Sequence, residues 1–404
     1  MYIAAQRKGI SILGTGDFTH PKWFQELQQK LVPEGNGLFR LRPDVASYCD
    51  KEVPTTCRGP VWFLLVTEVS NIYKKNNILR KNHNLIFVPK LDYAAKLSVK
   101  LEKLGKIASD GRPVLGMDAR NLLETVLECG GGSFLVPAHI WTPWFSLLGS
   151  KSGFNSLIEC FEDLSTHIFA VETGLSSDPT MNRCVEFLNR ITLISNSDAH
   201  SPEKIGREAN KFDTEASFKG IRQALKYPER GEFVGTLEFF PEEGKYHFDG
   251  HRKCGICFHP SETRRHQGIC PVCGKPLTLG VLNRVRALSG PTEVDTAAPL
   301  TKPFFSSVPL LDILSEIYNR GPATVTVKKQ YDRILRKLGP EYQVLEIFPL
   351  EYIHEAGIPF LPEAVQKIRS RDIQISPGFD GEFGKIRLFG AEERKEMDQR
   401  KIGS

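Results

Sequence analysis

Five times along the first half of this chain a short apolar run ends in polar residues that include His, Asp or Glu. Ile10–Gly14 runs into a loop with Asp17 and His20, and Trp62–Ser70 carries Glu68 within an apolar stretch. Phe134–Ala138 ends on His139, Ile168–Gly174 holds Glu172, and Ile191–Ile194 leads to Asp198 and His200. Such runs read as buried strands, and Leu85–Pro89, preceded by His83, reads as another. Stretches with helical leucine spacing lie between them: Asn121–Glu128, Phe154–Leu164, Met181–Asn189 and Thr214–Leu225. Alternating strands and helices predict a mainly parallel sheet. Ligand-type residues at successive strand ends are what a closed or nearly closed β/α barrel presents on one face. Singly, each polar residue has a plain reading as a helix cap or a satisfied core group. Five together point to one cluster able to hold divalent ions, with carboxylates as hard ligands and imidazoles as borderline ones.

A chain of 404 residues has room for two or three domains. A net charge of +5 suits an anionic partner only weakly. No apolar run approaches the roughly 20 residues that span a bilayer, and no signal peptide is evident, so the expected location is cytoplasmic, with no membrane partner. Cys49, Cys57, Cys129, Cys160 and Cys184 are scattered singly, as reduced thiols would be. At the amino terminus, Ala4–Lys8 followed by Gly9 reads as the last turn of a helix.

The remaining cysteines have a pattern. Cys254-x-x-Cys257 and Cys270-x-x-Cys273 are separated by twelve residues, the spacing of a zinc ribbon with four thiolates on one structural zinc. Three units follow: a β/α barrel over 1–230, a zinc-ribbon domain over 231–288, and a mostly helical domain over 289–404. Within the last, Ser289–Pro303 reads as a linker, Val308, Lys328–Leu338, Glu351–Ala356 and Ala364–Arg371 mark helices, and Glu392–Lys401 reads as a fraying tail. The glycine-rich turn Ser376–Gly384 is either a plain turn or a close approach for a phosphate backbone.

Divalent ions held by such a cluster activate water, position a phosphate and neutralise a leaving oxygen. Nucleophile-based hydrolysis has no support, since Gly-x-Ser-x-Gly is absent and no cysteine has a catalytic setting. Phosphate-loop and dinucleotide fingerprints are also absent. The motifs Gly16-Asp17-Phe18-Thr19-His20-Pro21, Glu68-Val69-Ser70, Pro137-Ala138-His139, Glu172–Pro179 and Ser195–Pro202 resemble the PHP (polymerase and histidinol phosphatase) superfamily. With the ribbon and helical carboxy-terminal part, the resemblance narrows to the endonuclease Q family.

That resemblance implies a distorted seven-stranded β/α barrel with a multinuclear metal site. It implies a DNA-repair endonuclease that cuts 5′ of deaminated bases (hypoxanthine, uracil, xanthine) and of abasic sites, with damaged DNA and other repair proteins as partners. His20, Glu68, His139, Glu172, Asp198 and His200 would be metal ligands, Asp17 a ligand or the support of one, and Asp198, His200 and Glu68 the catalytic centre. Zn2+ would fill the structural site and serve in the cluster, with Mg2+ or Mn2+ as the alternative catalytic ion. One departure stands out: members of the superfamily begin with a strand bearing His-x-His, and this sequence has none. The place for it lies upstream of Met1, so the chain reads as lacking its first strand. Trp141 and Trp144, next to His139, are candidates for a wall or wedge around an extruded base. Lys74 and Lys75 are candidates for phosphate contacts. Two other readings stay open: a small-molecule phosphatase, and a catalytically impaired DNA-binding variant.

Overall fold

The computed structural model describes residues 1–109, 111–289 and 302–402. Its centre is a long hairpin, Trp62–Lys75 and Ile78–Val88, paired antiparallel from Leu65 opposite Val88 to Lys75 opposite Ile78. Asn76 and Asn77 join the strands with φ of 52° and 61°, the left-handed pair that a two-residue hairpin turn needs and that Asn tolerates. Ile12–Gly14 lies parallel to the first strand, and Phe134–Pro137 antiparallel to the second. Ala170–Glu172 and Thr192–Ile194 form a parallel pair. Ala209–Phe212, Phe233–Glu238 and Phe304–Ser306 make a further sheet. The chain is therefore a mixed α/β protein. The expectation of a mainly parallel sheet fails because the Asn76-Asn77 turn reverses the chain at once and leaves no room for a crossover helix.

Single hydrogen bonds carry the strand sequence across the gaps. The Ala138 amide donates to the His83 carbonyl (3.0 Å), Ile140 to Glu172 (3.1 Å) and Thr173 to Ile194 (2.9 Å). The Ser195 amide donates to the Asn210 side chain (2.9 Å). Alternate strand residues feed two cores. Leu64, Phe87, Val136, Ala170 and Ile194 meet in an inner cluster with Phe218, Ile221 and Leu225 of the helix Phe218–Lys226. Phe63, Leu65, Ile86, Leu135, Val171 and Leu193 face an outer core under the surrounding helices. Strands buried on both faces in this way read as continuous apolar runs, which explains the sequence pattern.

Several expected elements are present. Tyr2–Lys8 is a helix closed by Gly9 at φ 86°. Ala119–Glu128 begins at Asp118, whose carboxylate accepts the Arg120 amide at 2.8 Å. The candidates at Phe154–Leu164 and Met181–Asn189 break into short helices (Leu157–Phe161, Pro179–Arg183) followed by tighter turns. Leu310–Tyr318, Val325–Lys337, Leu350–His354 and Leu361–Ser370 pack around a second core that also takes in Val53 and Cys57 of the first half. The expected linker lies outside the described residues from 290 to 301. The tail does not fray as expected: Ala391–Ile402 is helical, and Met397 is buried against that second core. In the glycine-rich turn, a Cβ at Gly384 would lie 2.0 Å from the Glu242 carbonyl oxygen, so glycine serves close backbone packing there. No helix among the described residues is long and apolar enough to cross a membrane.

A buried ion pair ties the amino-terminal helix to the carboxy-terminal helices. Lys8 Nζ lies 2.6 Å from Glu341 Oε2, with both side chains nearly inaccessible. Glu341 also accepts the Tyr331 hydroxyl at 2.8 Å and the Leu310 amide at 3.0 Å. Removing one partner leaves an uncompensated buried charge. Glu341→Ala is expected to cost about 3–5 kcal/mol in urea denaturation, while the double change Lys8→Met with Glu341→Met costs less than either single one. Additive losses in that cycle would show that the two groups are not coupled.

Candidate metal centre at the strand ends

The inner faces of the strands are apolar at one end and polar at the other. Leu64 and Val66 belong to the inner cluster, and the next side chain on that face is Glu68. Phe87 and Leu85 mirror them on the partner strand, and the next is His83. Because Ser70 stands opposite His83, Glu68 is its diagonal neighbour on the same face. Ala170 precedes Glu172 in the same way, and Ile194 precedes Asn196.

Three donor atoms converge there, one each from Glu68, His83 and His139, all within 4.8 Å of one another. Glu68 Oε1 is 3.0 Å from His83 Nδ1 and 3.3 Å from His139 Nε2, and the two imidazole nitrogens are 3.0 Å apart. Glu68 Oε1 is buried, and the polar atoms facing it are those two imidazole nitrogens. The residues thus fit a divalent ion. His139 is held from behind: its Nδ1 is 3.1 Å from Ser146 Oγ, which leaves Nε2 for the cluster. Burial pushes Glu68 upward, but the flanking imidazoles and Arg112 outweigh it and hold the carboxyl well below its usual range. Burial holds His83 below its ordinary value. For His139, burial is outweighed by Glu68, and the net shift is upward.

Around this trio the backbone is bent out of ordinary conformations. Asp17, His139 and Asp198 sit at φ of 38°, 30° and 43°, a region that side-chain-bearing residues seldom adopt. His139 and Asp198 each have a clamp or a neighbour shaped for them. The Glu172 carboxylate accepts the His139 amide at 2.7 Å and the Asn196 side-chain amide at 2.8 Å. Full burial pushes Glu172 up to about 7. Gly174 lies so close to His139 that a Cβ would meet the His139 Cβ at 2.4 Å. Arg207 donates from Nε to the Ser197 carbonyl (2.7 Å) and from Nη2 to that of Asp198 (3.0 Å). Below, Glu238 accepts the hydroxyls of Thr173 (3.0 Å) and Ser195 (3.1 Å), joining the two strand ends that lead to Glu172 and Asp198. Burial raises Glu238 and its buried neighbour Glu208 above the usual carboxylate range.

The sequence-derived candidates divide accordingly. Glu68 and His139 are in the trio, and Glu172 supports it. Asp198 stands at the rim, with Oδ1 2.5 Å from Arg112 Nη2. Asp17 is at a strand end and exposed. His20 instead precedes the helix Pro21–Lys30 as its N-cap residue. His200 is not brought in either: its side chain is 72% exposed and its Nδ1 lies 2.9 Å from the Asp198 carbonyl. Trp141 is fully buried, its indole donating to Asn182 Oδ1 at 2.8 Å, so it is a core residue with no surface to offer a base. Trp144 is 43% exposed and packs edge-on to Tyr246. Lys74 is exposed. Lys75 is already engaged by Glu162 (2.7 Å), Asp118 (3.4 Å) and the Cys160 carbonyl (3.1 Å), which leaves it no phosphate to bind. Sequence reading missed His83 and Arg112 as site residues. Period-two alternation back from Phe87 and Leu85 would have found His83, whereas nothing local marks Arg112.

A second cluster joins His251, Cys254, Cys270 and Cys273, a zinc-type ligand set. His251 Nδ1 is 3.3 Å from Cys273 Sγ. Burial opposes ionisation of Cys270, but the amides of Cys273 and Val272 outweigh it and lower the thiol, favouring the thiolate that a metal needs. The four-thiolate expectation differs at one position. In the hairpin of Asp249–His251 with Ile256–Phe258, His251 is opposite Ile256 and Gly250 opposite Cys257. His251 and Cys257 therefore project from opposite faces, and the imidazole takes the place expected for Cys257.

The mixed α/β fold with a metal-type cluster at its strand ends is similar to that of solved endonucleases. The chain matches the crystal structure of the lesion-specific endonuclease PfuEndoQ from Pyrococcus furiosus with a TM-score of 0.77 and 27% identity, over 97% of this chain and 92% of that one. It matches endonuclease Q in complex with a 27-mer duplex bearing an abasic lesion at the active site with a TM-score of 0.78 and 29% identity, over 97% and 91% of the two chains. The endonuclease Q resemblance read from the sequence is thus borne out by the fold. Uncharacterised protein YqxK of Bacillus subtilis is 29% identical over 95% of this chain and 90% of its own length. Uncharacterised protein MJ0043 of Methanocaldococcus jannaschii is 33% identical over 61% of this chain, and the match spans only 31% of that longer protein. Residues 309–372 match the MJ0043 C-terminal domain family.

Zinc release under a chelator tests the second cluster. His251→Ala is expected to give up its zinc at a chelator concentration about tenfold or more below that of the wild type, and Cys257→Ser to behave as wild type. The reverse order of sensitivity would restore the four-thiolate set.

Proposed function

We propose that this chain is a DNA-repair endonuclease that hydrolyses the phosphodiester on the 5′ side of deaminated bases (hypoxanthine, uracil, xanthine) and abasic sites. The observation that carries this reading is the convergence of Glu68, His83 and His139 at the strand ends of a fold matching endonuclease Q over 97% of the chain. We read the strands as the wall of a distorted, open barrel, and the chain as three units at 1–230, 231–288 and 289–404.

Glu68, His83 and His139 would hold a divalent ion, with Asp198 and Asp17 as further carboxylates at the rim. Zn2+ suits this mixture of imidazole and carboxylate, and Mg2+ or Mn2+ would draw more on the carboxylates. Bound there, such an ion supplies an activated water and charge neutralisation at the leaving oxygen. The chain's own residues do the rest. Glu172 holds the His139 backbone amide and Ser146 its imidazole, and Arg207 holds the Asp198 loop in its left-handed bend. The exposed Trp144 beside Tyr246 offers an aromatic surface on which an extruded base can stack.

A small-molecule phosphatase would make no use of the basic face of Val325–Lys337, where Lys328, Lys329, Arg333, Arg336 and Lys337 are all exposed. With a duplex containing one deoxyinosine and Mn2+ or Mg2+, the expected product is a single nick 5′ of the lesion. Asp198→Ala should lower that rate by about 100-fold or more while leaving the circular dichroism spectrum intact. Turnover of phosphate monoesters without DNA binding would favour the phosphatase instead, and undiminished nicking by the variant would remove Asp198 from the site.

A further inference from the structure

Arg112 is set directly against the proposed metal ligands. It lies just ahead of the strand Val114–Leu115, in a loop anchored where the Ser70 amide donates to the Pro113 carbonyl at 2.9 Å. Its Nε is 2.6 Å from Glu68 Oε2 and its Nη2 is 2.5 Å from Asp198 Oδ1. The side chain is one quarter exposed, so its tip has a route to solvent and to a ligand. The anchored backbone and the partly exposed tip make this a side chain that can swing while its loop stays in place.

Glu68 and Asp198 are the carboxylates that a divalent ion at these strand ends would draw on. Oxygens engaged by a guanidinium have fewer lone pairs to give a metal, and a fixed positive charge beside them repels a dication by several kcal/mol at an effective dielectric of about 20. Arginine suits this position for a second reason. Its planar fork spans two carboxylates, and the same fork matches the oxygens of a phosphodiester.

We propose that Arg112 is an exchangeable counter-ion of the site: it neutralises Glu68 and Asp198, competes with the divalent ion for them, and once displaced turns its fork to the scissile phosphate. The proposal rests on the reading of this site as a metal-dependent phosphodiesterase centre, and its first test needs no DNA cleavage. Mn2+ binding to the full chain, followed by electron paramagnetic resonance without DNA, should be tighter by about tenfold or more in Arg112→Met, with Arg112→Lys in between. The metal-free Arg112→Met protein should melt at a lower temperature than wild type and regain more on adding Mn2+. Inorganic phosphate, titrated into the Mn2+-loaded proteins, should bind more weakly to Arg112→Met than to wild type.

Equal or weaker Mn2+ affinity in Arg112→Met, with wild-type-like circular dichroism, would overturn the counter-ion role. Unchanged phosphate affinity would overturn the transfer to phosphate. Should Arg112→Met fail to fold, Arg112→Lys decides the matter, since it keeps the charge and loses the fork. Absence of DNA nicking by wild-type protein that still shows this Mn2+ order would count against the endonuclease reading and leave the counter-ion standing.

Discussion

A carboxylate on the inward face of a two-sided apolar sheet cannot stay charged unless other groups neutralise it, and Glu68 sits on that face. The structure answers with two imidazoles on one oxygen and a guanidinium on the other. Nearly every other feature of the strand-end region follows from keeping those partners in place. His83 is there because the hairpin register puts it diagonal to Glu68. His139 is there because Glu172 and Ser146 grip its backbone amide and its far nitrogen. Arg112 is there because its loop is pinned to the Glu68 strand at Pro113.

The same region holds backbone strain. Asp17, His139 and Asp198 all occupy left-handed conformations, each costing on the order of 1–3 kcal/mol unless the surroundings over-determine it. For Asp198 the restraint reaches beyond the strands. Arg207 holds the carbonyls of Ser197 and Asp198, the Gly206 amide donates to Ser197 Oγ at 2.8 Å, and Tyr342 hydrogen-bonds the Gly206 carbonyl from the carboxy-terminal part. The second core thus buttresses a loop of the candidate site, a physical reason for the two parts to share one chain.

What could be read from the sequence was whatever depended on local pattern. Apolar runs ending in Asp, His or Glu gave the strand ends, and the match to endonuclease Q agrees with the family those motifs resemble. The hairpin was hidden because its strands continue through polar residues, Asn71 to Lys75 and Arg80 to Asn84, past the point where hydrophobicity stops. With it went His83, whose role depends on register with a partner strand. Trp141 and Lys75 were misplaced for a related reason: residue type suggested contact with DNA, and only packing reveals that one is core and the other already paired. At the zinc-type cluster, Cys-x-x-Cys spacing pointed to four thiolates, whereas His251 is the residue that lies with Cys254, Cys270 and Cys273. Arg112 depends wholly on tertiary placement.

The central claim is that the strand-end trio is a divalent-ion site distinct from the cysteine-rich one. Mn2+ binding to protein carrying one zinc per chain, held at the cysteine-rich cluster, followed by electron paramagnetic resonance in wild type and in His139→Ala, addresses it most directly. The expected result is bound Mn2+ in the wild type and its loss in the variant, with the zinc content of both proteins unchanged. Equal Mn2+ binding by the two proteins would contradict the account.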